Sequence, residues 1–234
     1  MRRKSPLLAA CRSSLLGRAK ARRRVLVTAG PTREHIDPVR YLTNESSGRM
    51  GFELAAAAAR AGSRVTLIAG PVTLPTPAGV ERIDVVSARD MLAATRRAFR
   101  RTDVLFMCAA VADWRPLRKR VGKWRKEKES KEVASIELVR NPDILATLAG
   151  GKGARLVVGF ALETGQGEAR ARAKLRRKGA DYMVLNDERA LGAKRTSVTI
   201  LGRDRSRRCL RGQTKRAVAE VLVRLPVPAP TGSG

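Results

Sequence analysis

Short apolar runs alternate along the chain with longer segments whose apolar residues recur every three to four positions. "RRVLVTAG" predicts a buried strand ending in a turn, and "MGFELAAAAARAG" a helix stopped by Gly62. "SRVTLIAGP" and "VERIDVV" predict two more strands, "ARDMLAATRRAFRR" a helix, and "TDVLFMCAAVAD" a strongly buried strand. In "NPDILATLAG", Asn141 takes the N-cap position, Pro142 the first helical position and Asp143 the first turn. Next come a strand in "ARLVVGFALET", a helix in "GEARARAKLRRKGA", strands in "DYMVLND" and "TSVTILGRD", and a closing helix in "TKRAVAEVLVRL". Short strands alternating with helices imply right-handed βαβ units, hence an α/β fold with a doubly wound, mostly parallel sheet. Ligands of such sheets bind beyond the carboxyl ends of the strands. Those ends are "TAGPTRE", "IAGP", "CAAVAD", "GFALET" and "LND", where small and polar residues gather.

A length of 234 residues suits one large domain, or one domain with tails. Residues 1–22 read as a basic, disordered leader, 23–225 as the domain, and 226–234 as a flexible Pro/Gly/Ser tail. The stretch Met1 to Arg24 holds nine basic residues and no acidic one, and Arg12 interrupts the apolar core a signal peptide would need. A transit peptide stays open. No apolar run approaches the roughly 18 residues of a membrane span. The formal charge of +28 attracts polyanions, whether nucleotides, phosphorylated substrates or nucleic acid; arginine bias on solvated faces explains it equally well. Cys11, Cys108 and Cys209 form no CxxC pair, which points to a reducing, cytoplasmic setting. His35, the only histidine, rules out a multi-histidine metal site.

Candidate chemistry starts in "AGPTREHIDPVRYLTNESSGRMG", which is too long for a tight strand-to-helix turn. Ser46, Ser47 and Gly48 lead into a helix whose first N–H groups can hold an anion. Asn44 can donate and accept hydrogen bonds without charge, and Arg40 offers a two-pronged cation for carboxylate or phosphate. A solvated loop is the bland alternative. In "CAAVADWRP", Ala109 and Ala110 allow close backbone approach. Asp113 can accept from ribose hydroxyls or a base, or simply cap the next segment. The charged run "RPLRKRVGKWRKEKESKE" offers Lys123, Arg125 and Lys126 as clamps if it closes over a triphosphate. Lys174 and Lys178, four apart, share one helical face.

Together and in this order, "VLVTAGPTRE-IDPVRYLTN-SSG-MG", "AAVADWRP", "LVRNPDIL", "GFALET" and "KLRRKGAD" resemble phosphopantothenate–cysteine ligase, also called phosphopantothenoylcysteine synthetase. The first stretch is the specific one. The resemblance covers roughly Arg23 to Asp187 and implies a free-standing ligase with a Rossmann-like sheet and a mobile basic flap. It also implies a two-step reaction. The 4′-phosphopantothenate carboxylate attacks the α-phosphorus of CTP, giving an acyl-cytidylate and pyrophosphate. The L-cysteine amine then displaces CMP. Carried over by position, Asn44 matches the asparagine that stabilises the acyl-cytidylate, and Arg40 the arginine needed for its conversion. Met107, Cys108, Ala109, Asp113, Lys123, Pro142, Asp143, Ile144, Leu145, Phe160, Lys174 and Lys178 fall on nucleotide-binding positions. The resemblance further implies Mg²⁺ accompanying CTP, with no ligand assigned, and a homodimer.

Three departures stand out. His35 replaces a common proline, Arg125 replaces a flap lysine, and "LGAKRTSVTIL" lacks the usual Gly-Phe, so no role is carried onto that strand. Two rivals are an NAD(P)-dependent short-chain oxidoreductase and a basic nucleic-acid-binding module. The first needs a Tyr-xxx-Lys pair, yet Tyr41 and Tyr182 are followed at i+4 by Glu45 and Asn186. The second rests on charge alone, with few aromatics to stack on bases.

Overall fold

A computed structural model describes residues 22–125, 132–163, 167–186 and 195–226. The leader read over 1–22 and the tail over 226–234 lie almost wholly outside the described residues, as does Lys126. The strands are β1 (Arg24–Ala29), β2 (Arg33–His35), β3 (Tyr41–Thr43), β4 (Arg64–Ala69), β5 (Val80–Asp84), β6 (Val104–Met107), β7 (Trp114–Pro116), β8 (Leu138–Arg140), β9 (Leu156–Leu162), β10 (Tyr182–Asn186), β11 (Arg195–Gly202) and β12 (Arg207–Thr214). The helices are α1 (Arg49–Arg60), α2 (Ala88–Phe99), α3 (Ile144–Ala149), α4 (Gly167–Lys178) and α5 (Lys215–Leu222).

Eight strands form the main sheet in the order β12-β11-β10-β9-β6-β1-β4-β5. From β10 to β5 every pairing is parallel; β11 and β12 add on antiparallel. From β1 the chain winds outward through β4 to β5, then restarts at β6 and winds the other way through β9 and β10. The switch between β1 and β6 opens a crevice beyond their carboxyl ends, where such sheets bind ligands.

Neighbouring residues on a strand face opposite sides, so each central strand feeds two cores. Val27, Leu67, Phe106 and Val158 pack with Leu54 of α1 and Leu222 of α5. Leu26, Ile68, Leu105, Val157 and Met183 pack on the other face with Met91 of α2, Leu148 of α3 and Leu175 of α4. A sheet covered on both faces needs unbroken apolar runs, which is why its strands read so clearly.

Three features differ from the sequence expectation. β6 stops at Met107 instead of running on to Asp113, because the backbone after it turns to bond with the loop after β1. Helix α3 begins at Ile144 with Asp143 as its N-cap, accepting from Ala146 N–H at 3.0 Å, so Asn141 is not the cap. The short pairs β2–β3 and β7–β8, and the whole of β12, carry no apolar run to announce them. β12 is almost entirely exposed along one edge, with Arg207, Arg208 and Arg211 on it.

Candidate active site

Backbone and side-chain hydrogen bonds lace the loops beyond β1 and β6 into one seam. The Ala110 N–H donates to Gly30 O at 2.9 Å, and the Ala112 N–H to Thr32 Oγ1 at 3.0 Å. Thr28 Oγ1 accepts from the Ala109 N–H at 3.2 Å and donates to Met107 Sδ at 3.4 Å. Asn141 then latches the start of α3 to this seam. Its Nδ2 donates to Ala112 O at 2.9 Å and its N–H to Asp113 O at 2.8 Å, while Arg115 Nη1 reaches its Oδ1 at 3.2 Å. Occupied in this way, the Asn141 amide has no role in capping.

Beside the seam lies a cleft of about 430 Å³ lined by Val111 to Trp114, Arg140 to Asp143, and Lys178. Asp113 is exposed in its wall, and Lys178 forms an ion pair with Asp143. Burial pulls the Lys178 ammonium below its ordinary pKa, with the Asp113 charge opposing that fall. Asn44 is not in the lining of this cleft and meets it at one point, its Nδ2 donating to Val111 O at 3.0 Å. Asp113, Pro142, Asp143 and Lys178 are brought together in the lining. Ile144 and Leu145 stand behind them in the core.

A second, smaller cleft of about 130 Å³ lies at the start of α1. Ser46 to Gly51, Cys108 and Phe160 line it, together with Leu162, Asn186, Thr196 and Lys215. The glycines here have physical reasons. Gly48 has φ +74°, the left-handed conformation that favours glycine. A Cβ on Gly51 would stand 2.5 Å from Ala29 Cβ and 3.1 Å from Thr28 O, so α1 rests directly on β1. No side chain caps α1, which leaves its first N–H groups facing the cleft side of the sheet. Cys108 is half-buried, and burial pushes its thiol up to about 12, so it is a protonated wall and not a nucleophile.

Arg40 lines neither cleft. A buried carboxylate, Asp37, organises its loop, accepting from the N–H groups of Val39 and Arg40 at 2.7 Å each and from Arg40 Nη1 at 2.9 Å. The Trp124 N–H, at the head of the flap, adds a fourth bond at 3.0 Å, and Trp124 O accepts from Arg40 Nη1 at 2.8 Å. Asp37 therefore clasps the Arg40 loop to the flap. Chiefly through the Trp124 N–H, its pKa is held well below the usual carboxylate range. Lys123 is exposed beside Trp124 and lines neither cleft. Lys174 also stays outside both, 3.9 Å from Glu163, so of the two lysines on α4 only Lys178 reaches the first cleft.

The sequence reading missed Asp37 as a clasp, Asn141 as a latch, and Lys215 altogether. Asp before Pro does mark a turn that its carboxylate can organise. Lys215 left a weaker trace, a cation at the start of a helix where the macrodipole disfavours it.

The model of the DNA/pantothenate metabolism flavoprotein C-terminal domain matches residues 20–226. The chain belongs to this family. Similar curated members are coenzyme A biosynthesis bifunctional proteins CoaBC. The protein of Vibrio cholerae is 48% identical over 182 residues, covering 77% of this chain and 45% of its own length. That of Bacillus subtilis is 44% identical over 204 residues, covering 85% and 50%. The chain thus spans about half the length of the curated family members it matches. Among solved structures, the C-terminal domain of a CoaBC is 40% identical with a TM-score of 0.74, covering 86% of this chain and 92% of that one. A Streptococcus pneumoniae family member, at 23% identity and a TM-score of 0.75, shares the fold over 86% of this chain and 96% of its own. The doubly wound sheet expected from the sequence is the family's fold. Among the described residues no helix is long and apolar enough to cross a membrane.

Proposed function

We propose that the chain joins 4′-phosphopantothenate to L-cysteine, consuming CTP through an acyl-cytidylate and releasing pyrophosphate and CMP. The observation that carries this reading is the bond from Asn44 Nδ2 to Val111 O, part of the wall of the Asp113–Lys178 cleft. That bond holds a neutral amide at the border of the cleft. The CoaBC relatives, named for coenzyme A biosynthesis, support the substrate class. A solved protein of the same fold, at 16% identity, holds phosphopantothenate-cysteine.

A free carboxylate acylates amines poorly until one oxygen becomes part of a leaving group. In the first step a carboxylate oxygen bonds to the α-phosphorus of CTP. The bond to the bridging oxygen breaks, and pyrophosphate leaves with the electron pair. In the second step the cysteine amine bonds to the acyl carbon, the acyl carbon–oxygen bond breaks, CMP leaves with the electron pair, and the nitrogen gives up one proton to solvent. Lys178 and the amide of Asn44 sit beside the place where charge grows, and fixed donors of this kind stabilise transition states without reorganising. Holding both anions together supplies the proximity the first step needs. Mg²⁺ is proposed to arrive on the triphosphate. Asp113, exposed in the first cleft, suits a hard cation held mainly by phosphates and water, whereas both Asp143 oxygens are taken by the Ala146 N–H and Lys178. There it would neutralise phosphate charge. The proposed homodimer gives Arg40 a use: its Nη1 is held by Asp37 and Trp124 O, and the rest of the half-exposed guanidinium, outside its own cleft, is left for the site of a second copy.

The direct test mixes the protein with phosphopantothenate, cysteine and Mg²⁺, supplies CTP or ATP, and follows pyrophosphate. Pyrophosphate release that requires phosphopantothenate and is faster with CTP is the expected result. Release independent of phosphopantothenate would overturn the reading. A companion variant, Lys178→Gln, should weaken CTP affinity by about tenfold, the loss of one charge-assisted contact, while phosphopantothenate affinity holds. Isothermal titration of each ligand separates the two effects, and equal losses would refute the lysine's assignment to the nucleotide.

A further inference from the structure

A groove outside both clefts carries an uneven charge. It runs between α2 and the β7–β8 pair, encloses about 730 Å³, and is larger than either cleft described above. Arg89, Arg96, Arg97 and Arg100 line one rim from α2 and its end, and Arg115 and Arg140 line the other. Leu92, Ala93 and Pro142 supply apolar surface between the rims, and no carboxylate lines the groove. Guanidinium groups gathered around one apolar floor repel one another until negative charge comes between them.

A merely solvated helix face has a different pattern in this protein. Arg172 on α4 and Arg216 on α5 each pair with a glutamate one turn away. Helix α2 has one carboxylate, Asp90, whose Oδ2 is taken by the N–H and Oγ of Ser87 in the capping box. Among the described residues the four arginines of this rim form no ion pair, and all four are exposed. Arg96 and Arg97 suit the last turn of α2, where the macrodipole favours cations. Arg89 stands in the first turn, where the same dipole disfavours it. Neither packing nor helix stability therefore accounts for the whole row.

We propose that this groove docks a segment of a partner protein in which acidic residues alternate with apolar ones. Arg96 and Arg100, one turn apart, are separated by about 6 Å along the helix axis. Alternate side chains of an extended peptide stand about 6.6 Å apart, so successive Asp or Glu residues meet successive arginines. The apolar residues between them face Leu92, Ala93 and Pro142 on the floor. Arginine suits such a rim, because its planar guanidinium takes a carboxylate through two parallel hydrogen bonds. A single-stranded nucleic acid would meet the same charges but leave the apolar floor unused, and no aromatic side chain lines the groove to stack on its bases. Arg140, Asn141 and Pro142 border both this groove and the first cleft, so the docked segment lies against the candidate site without entering it.

The test is fluorescence anisotropy of a labelled peptide of alternating Glu and Leu, titrated with the full chain at about 0.15 M salt, where charges more than about 8 Å apart are largely screened. The wild-type chain should bind it, and the double variant Arg96→Gln/Arg100→Gln should bind at least about tenfold more weakly, the loss expected on removing two charge-assisted contacts. Ala93→Glu, at an exposed position where a helix accepts glutamate readily, should give a similar loss by setting a carboxylate on the floor. A peptide with Ser in place of each Leu should also bind at least about tenfold more weakly, since it buries no apolar side chain. Arg208→Gln/Arg211→Gln removes the same charge from β12 and should leave the affinity unchanged. Equal losses from the α2 and β12 pairs overturn the inference, because the attraction is then unspecific. Equal affinity for the Leu and Ser peptides, or no binding by the wild-type chain, overturns it as well. So does tighter binding of a single-stranded RNA that the α2 variants abolish, which would give the groove to nucleic acid. Should the double variant melt early, Ala93→Glu decides alone, since it adds a carboxylate and deletes no contact.

Discussion

Asn44→Ala is expected to lower phosphopantothenoylcysteine formation by about 10²–10³-fold, the usual cost of deleting one preorganised transition-state donor. The side chain is exposed and, among the described residues, makes a single hydrogen bond, to Val111 O, so its loss should barely change stability. A core truncation, by contrast, costs several kcal/mol. The two outcomes therefore separate cleanly. Thermal melting should superimpose for wild type and variant while amide synthesis collapses. Asn44→Asp sharpens the point. It keeps the size and places a carboxylate beside two anionic reactants, so it should be no better than alanine. Unaltered amide synthesis by Asn44→Ala, measured with saturating CTP and cysteine, refutes the role given to this residue.

Asp37→Ala should cost about 10²-fold in turnover although Asp37 reaches neither cleft, because misplacing a reacting partner by about 1 Å has that effect. Removing this carboxylate strands the N–H groups of Val39, Arg40 and Trp124 and releases the guanidinium of Arg40 in one stroke. Both the Arg40 loop and the flap head should loosen together. The pH dependence has a definite sign. The folded pKa of Asp37 lies below the unfolded value of about 3.9, so the clasp contributes its full stability above about pH 4. That contribution is lost as pH falls from there through the folded pKa. The stability gap between wild type and Asp37→Ala, followed by urea unfolding across pH, should be widest near neutrality and narrow in acid. A gap that widens in acid would show that Asp37 is not held as a carboxylate.

The parallel core was legible because a strand buried on both faces must be apolar at every position. "VLVTA", "VTLIA" and "LVVGFAL" are such strands and nothing else fits them. The same logic misled at "VLFMCAAVAD". Its apolar run continues past Met107, yet the backbone leaves the ladder there to bond with Gly30 and Thr32, a tertiary competition invisible in local pattern. β12, with "RRCLRGQT" exposed at an edge, needed no apolar face and so gave no signal. Of the residues named from sequence, Asp113, Asp143 and Lys178 fall together in the first cleft and Asn44 touches its wall, because strand ends and family pattern coincide there. Lys174 was named with Lys178 on helical spacing, and spacing says which residues share a face but not how far along it a cleft extends. Asp37 and Asn141 bond with partners 87 and 29 residues away, and Lys215 lines a cleft formed by distant segments. No window of sequence shows such partners.

The arginines on β12 bear on how this protein behaves in crowded solution. An edge strand displays unpaired N–H and C=O groups, an open invitation for another chain to add itself. Arg208 and Arg211 turn that invitation into mutual repulsion between like-charged molecules, while Arg207 is paired with Glu168. Repulsion of this kind reaches about 10 Å at 0.1 M ionic strength and only about 3 Å at 1 M. Concentrated brine, often added to keep basic proteins dissolved, therefore strips this edge of its guard.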